Sequence, residues 1–264
     1  MHDPEKLSEL GFAHGKTGAH TARTMMLDEL TQLFAHLPPG ASRDEYVSAI
    51  REQNCLGKRS VKTRGLTARH LIELYGLDPS NAIYRGLRHF WERDQEARPL
   101  LALLAATARD TLLHEMLPVI LAVAPGTAIH REQVEAAIEQ RWPDRFSPAT
   151  LKSVAQNLNS SLTQSGHLWG RAKKLRQQAN ATPGAAGFAL YLGWLRGDRG
   201  ELLLHTEFCR ALDCPPERVL ELTRQAAKRG WMQLRHVDTV IEPGFPALIP
   251  AGKPVVAKKK GART

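Results

Sequence analysis

The sequence predicts a mainly α protein: a helical bundle followed by helix-turn-helix units and a small C-terminal winged-helix-like β-hairpin. Three observations predict it. Apolar residues recur at helical spacing along most of the 264 residues, Pro and Gly break the runs, and two short strand-like runs around a turn stand near the C-terminal end. The breaks place units at 1–125, a helical bundle; 126–180, a helix-turn-helix with a basic wing-like segment; 181–250, winged-helix-like; and 251–264, a disordered basic tail.

Ala22, Met25, Met26, Leu30, Leu33 and Phe34 share one face, predicting a helix from Gly18 to Leu37 that Pro38-Pro39-Gly40 ends. Ser42 with Asp44 and Glu45 reads as the start of a second helix stopping near Asn54. A third carries Leu66, His70, Leu71 and Leu74 and stops at Gly76. Asp78-Pro79 and Arg98-Pro99 start two more, and further helical turns reach Val123 before the break at Pro125-Gly126. Ile129, Val134, Ala137 and Ile138 predict one short helix. Ser147-Pro148 combines an N-cap with a proline at the first helical position, opening a helix with Leu151, Val154, Ala155, Leu158 and Leu162 inside and Gly166 at its end. Helices follow at Gly184–Arg196, Glu201–Leu212 and Glu217–Arg229, and then strands at Trp231–Arg235 and Thr239–Ile241.

The formal net charge of +9 favours a polyanionic partner. An anionic membrane surface would also attract it, but the chain offers neither an amphipathic basic helix nor a lipidation signal. The most apolar stretch, Pro99 to Pro125, is interrupted by Arg109, Asp110, His114 and Glu115, so it falls short of the roughly 20 residues that span a bilayer. With no apolar centre near the N-terminus, a cytoplasmic location is expected. Three cysteines, Cys55, Cys209 and Cys214, do not make a disulfide framework.

The candidate site residues are polar and basic. The helix after Ser147 carries Thr150, Lys152, Ser153, Gln156 and Asn157 without an acid, the side-chain set that a major-groove helix needs for base edges and phosphates. The same face would also serve as the solvated side of a structural helix. Arg171, Lys173, Lys174 and Arg176 follow where a wing would touch phosphates. Lys58, Arg59, Lys62 and Arg64 lie at a helix start, where backbone donors also favour phosphate. In the C-terminal pair, Glu217 and Glu221 share a face with Arg218, Arg224 and Lys228, a mixture suited at least as well to a protein partner.

Catalytic and metal patterns are weak. His205, Cys209 and Cys214 lack a fourth zinc ligand. Gly15-Lys16-Thr17 ends like a phosphate-binding loop, but Leu10 stands where that loop needs glycine, and no strand precedes it. No cofactor, metal or catalytic residue is expected. Aromatic residues are too few for a single-strand stacking platform, which favours duplex binding.

Gln53-Asn54-Cys55-Leu56-Gly57-Lys58-Arg59-Ser60-Val61-Lys62-Thr63, the apolar helix through Ala105-Ala106-Thr107-Ala108-Arg109-Asp110-Thr111-Leu112-Leu113, and Ser147-Pro148-Ala149-Thr150-Leu151-Lys152 occur in an order that resembles the BrxA family of BREX bacteriophage-exclusion systems. The resemblance covers roughly residues 18 to 180. It implies a small, largely helical, non-catalytic DNA-binding protein that acts beside other phage-defence proteins. Lys58, Arg59, Lys62 and the helix from Ser147 are the matching positions. The resulting expectation is a duplex DNA-binding accessory component of phage defence. The alternatives are a helical protein-protein scaffold and a helix-turn-helix transcriptional regulator.

Overall fold

A helix that is apolar on every side beyond its first turn lies at the centre of the molecule. In this computed structural model, which describes residues 4–13, 18–171, 173–237 and 240–248, helix α6 (Arg98–Thr107) is buried at every position from Leu100 onward. A helix buried all round needs neighbours on all sides. They are α4 (Val61–Tyr75), α5 (Ala82–Arg93), α7 (Thr111–Leu121), α9 (Pro148–Gln164) and α10 (Pro183–Arg196).

The chain reaches this centre through α1 (Pro4–Leu10), a 3₁₀ turn (Ala19–Thr21), α2 (Leu27–His36) and α3 (Arg43–Arg51). Ser42 and Glu45 form a capping box at the start of α3, with the Ser42 N–H donating to Glu45 Oε2 at 2.7 Å. The single helix expected from Gly18 to Leu37 is instead broken, and α2 begins only at Leu27. The Met25 N–H donates to Ser161 Oγ, its carbonyl accepts from the Tyr75 hydroxyl, and Met26 takes a left-handed φ of 54°. Tertiary partners outcompete the helical hydrogen bonds there. Arg88, 3 % exposed, donates to the Phe34 and Leu37 carbonyls at the end of α2 and pairs with Glu92 at 3.0 Å.

Helices α5 and α10 interlock through reciprocal notches. A Cβ on Gly86 would lie 2.4 Å from the Tyr191 ring, and one on Gly187 would lie 2.7 Å from Phe90. Asp94 fastens the same pair, accepting from Thr182 Oγ1 and the Gly184 N–H, both at 2.8 Å.

From α7 onward the chain forms two successive arrangements of helices ending in an antiparallel hairpin. The first runs α7, β1 (Ala128–Ile129), α8 (Arg131–Arg141), α9, β2 (Leu168–Trp169) and β3 (Lys174–Arg176), with sheet order β1-β3-β2, all antiparallel. Ile129 belongs to β1, and α8 starts after it. The second runs α10, a 3₁₀ segment (Gly200–His205), α11 (Glu207–Arg210), α12 (Pro216–Lys228) and the hairpin of β4 (Gln233–Val237) with β5 (Val240–Gly244). The continuous helix expected from Glu201 to Leu212 is split at Thr206. That residue is extended, and its hydroxyl caps α11 by accepting from the Cys209 N–H at 3.2 Å. Among the described residues no helix is long and apolar enough to cross a membrane. The Gly15-Lys16-Thr17 segment, Thr239 and the expected disordered tail at 251–264 lie outside the described residues.

Candidate nucleic-acid interface

Helix α9 starts where its sequence says it should. Ser147 accepts from the Thr150 N–H at 3.3 Å, and Pro148 takes the first turn. Asp144, at φ 56°, turns the chain between α8 and α9, its N–H held by Glu139 Oε1 at 2.7 Å. Val134, Ile138, Val154, Ala155, Leu158 and Leu162 fill the core beneath. The residues left exposed on α9 are Pro148, Ala149, Lys152, Ser153 and Gln156. Four of them fall at i, i+3, i+4 and i+7, one stripe along the helix. No acid interrupts it.

The wing stands beside this stripe. In β2, Leu168 points inward and Trp169 is 64 % exposed. The turn to β3 is tight: Gly170 sits at φ 102°, and a Cβ there would lie 2.2 Å from the Lys173 carbonyl oxygen. Arg171 and Lys173 are exposed, whereas Lys174 is half-buried and donates to the Gly170 carbonyl at 2.6 Å. Burial holds the Lys174 ammonium below its ordinary pKa.

Arg176 has to be removed from the candidate contacts. It is 2 % exposed, and its guanidinium pairs with Asp213 at 2.7 Å while donating to the carbonyls of Ile120, His167 and Gln177. As the last residue of β3, it binds the first unit to the second from inside. His167 does the same, with Nε2 3.0 Å from the Ala211 carbonyl, and burial pushes its imidazole down to about 4, so it is neutral.

The remaining candidates divide. Thr150 is half-buried beside Ser147, Oγ to Oγ 2.9 Å, and Asn157 donates to the His20 carbonyl at 3.0 Å, so its amide faces the N-terminal segment. Lys58 pairs with Glu29 at 2.8 Å, Arg59 and Lys62 are exposed, and Arg64 is half-buried. These four flank the Ser60 cap of α4 and belong to the N-terminal bundle, not to the winged unit. On α12 the exposed residues are of mixed sign, with Arg218 paired to Glu221 at 2.6 Å.

One polar cluster left no trace in the sequence pattern. His20 Nδ1 lies 2.9 Å from Asp110 Oδ2, and its Nε2 lies 2.8 Å from Ser161 Oγ. The order is that of a nucleophile, base and acid relay, but all three side chains are buried, and Ser161 Oγ already accepts from the Met25 N–H and bonds the Asn157 carbonyl at 2.9 Å. A substrate has no approach to it. The cluster instead docks residues 18–27 onto α9, helped by the Leu27 N–H on Gln164 Oε1 at 3.2 Å. Burial would raise the Asp110 carboxyl, but the facing His20 and the hydrogen bonds from His20 and the Leu113 N–H outweigh it and hold the pKa below its ordinary value.

Among the described residues no group of three or more His, Cys, Asp and Glu side chains is placed to hold a metal ion. Cys209 is buried and donates to the Leu203 carbonyl at 3.1 Å, and burial raises its thiol to about 12. Compared with known proteins, the chain matches no family model and no curated sequence.

Proposed function

We propose that the chain is a non-catalytic duplex DNA-binding protein that docks through its first winged-helix unit. The first half of α9 faces a groove, and Lys152, Arg171 and Lys173 lie on phosphates. The observation that carries this reading is the acid-free stripe of Ala149, Lys152, Ser153 and Gln156 beside a cationic wing. Cations with short amide and hydroxyl side chains are what phosphate contact and base-edge readout require. With the resemblance carried by residues 53–63, 105–113 and 147–152, the function becomes that of an accessory component of a BREX-like phage-defence system, working with its other proteins. The mixed charge of α12 favours a protein partner for the second unit.

The test is an anisotropy titration of the full chain against random duplex, single-stranded DNA and RNA at several salt concentrations. Duplex binding should weaken steeply with salt, by about 0.9 in log–log slope per phosphate contact. Replacing Lys152, Arg171 and Lys173 together by alanine should flatten the slope by about 2.7, on the same principle, for every duplex sequence. An unchanged slope, or no binding at low salt, would sink the reading.

A further inference from the structure

Between α9 and the first wing lies a pocket of about 370 Å³, within the range of small-ligand sites and far larger than a bare phosphate needs. Gln156, Asn159 and Ser160 reach it from α9, Arg131 from the start of α8, and Arg171 and Lys174 from the wing. Two kinds of unmet chemistry converge there. Asn159 is 6 % exposed, and its side-chain oxygen has no hydrogen-bond partner. A buried amide oxygen in that state marks a place where a donor arrives. On the other side the cations are not consumed. Arg131 is engaged by Glu132 and Glu135 at 2.8 and 2.7 Å, but among the described residues no carboxylate pairs with Arg171 or Lys174. Lys174 keeps N–H groups beyond the one it gives to Gly170.

We propose that this pocket is a subsite for a single nucleotide, with Arg171 and Lys174 on its phosphate and the Asn159 oxygen accepting from the exocyclic amino group of an adenine or cytosine base. A donor wanted at one end and an anion at the other describe a nucleoside phosphate better than either an inorganic ion or an apolar effector. Gln156 and Ser160 supply further donors and acceptors along the base edge. The nucleotide has two possible sources: a free monophosphate, or an unpaired terminal nucleotide of a bound strand. For the second source the inference rests on the DNA-binding reading above; for the first it stands alone.

The full chain is titrated by calorimetry with AMP, with inosine 5′-monophosphate, in which a carbonyl replaces the amino group, and with inorganic phosphate. A parallel competition uses duplexes bearing one unpaired 5′-phosphorylated deoxyadenosine or deoxyinosine. AMP should bind about tenfold or more tightly than the other two, the adenosine-ended duplex should outcompete its inosine twin, or both. Arg171→Ala, at an exposed position that leaves the fold intact, should lower the affinity about tenfold. Asn159→Ala should erase the adenine preference. Preference only in the duplex competition assigns the subsite to nucleic acid, and preference only for AMP assigns it to a free nucleotide. Equal binding of adenine and inosine forms in both experiments overturns the proposal, as does binding that Arg171→Ala leaves unchanged. Ordinary duplex binding without that preference would remove the pocket and leave the winged-helix reading standing; AMP preference without duplex binding would do the reverse.

Discussion

Replacing Arg176 by alanine separates the charge run at 171–176 into its two physical parts. The guanidinium is buried and meets Asp213, itself only 16 % exposed, at 2.7 Å, and it also satisfies the Ile120 and His167 carbonyls. Arg176→Ala leaves Asp213 with the Ala179 N–H, at 3.0 Å, and without its countercharge. Breaking a buried pair from one side costs about 3–5 kcal/mol. At about 2.1 cal/mol/K per residue over the 264 residues, the unfolding entropy is about 0.55 kcal/mol/K, so the midpoint should fall by about 5–9 °C. Circular dichroism melting measures this. Arg171→Ala, at an exposed position, should stay within about 0.5 kcal/mol of the parent. On duplex DNA well below the transition the order reverses, with Arg171→Ala flattening the salt slope and Arg176→Ala leaving it alone. An Arg176→Ala protein that melts like the parent but has a flattened slope would refute the argument, because Arg176 would then be reaching phosphate.

Other substitutions probe the elements that hold the interface in place. Ser161→Ala leaves the Met25 N–H without its buried acceptor and His20 Nε2 without its hydroxyl partner, and should cost about 1–3 kcal/mol, read from denaturant midpoints; no change would mean that residues 18–27 do not dock on α9. Gly170→Ala places a Cβ against the Lys173 carbonyl at a φ of 102°, so it should destabilise the wing by about 1–3 kcal/mol and weaken duplex binding. Asp110 is held below its ordinary pKa, so the stability it contributes is complete above the unfolded carboxyl value of about 3.9 and is lost as pH falls through the folded value. The urea midpoint of the parent should therefore exceed that of Asp110→Asn just above the unfolded carboxyl value, and the gap should narrow as the pH falls below it. A gap that widened in acid would reverse the assignment.

Much of this was legible because local signals and tertiary packing agree. Ser42 with Glu45, and Ser147 with Pro148, mark helix starts by satisfying backbone donors, a requirement that neighbours do not alter. The sequence pattern failed where distant partners decide. Nothing near Met25 announces that Ser161, 136 residues away, will take its N–H. Strands of two or three residues such as β1 and β3 are too short for period two to register, so Ile129 reads as helical and Arg176 reads as one more surface cation. Its burial is set by pairing with Leu168 and by Asp213, both invisible to a local window. The His20, Asp110 and Ser161 cluster was illegible for the same reason, since apolar periodicity carries no record of buried polar partners.

The dock on α9 also bears on what kind of DNA binding the fold can support. Asn157, Ser161 and Gln164 turn toward residues 20–27, so the fully exposed residues of the helix all lie between Pro148 and Gln156. Nine residues at about 1.5 Å each reach roughly 13 Å, about four base steps at 3.4 Å. Within that length the side chains able to reach base edges are Lys152, Ser153 and Gln156, and two of the three are short or bind phosphate as readily as bases. On the proposed reading, phosphate contacts from the wing and from Lys152 therefore supply most of the affinity, and discrimination among duplex sequences should amount to one or two base pairs, each worth about 1–3 kcal/mol. A selection from random duplexes that returned a long, symmetric consensus would require a reader that α9 cannot be, and the second unit, with its mixed-charge α12, would then have to supply it.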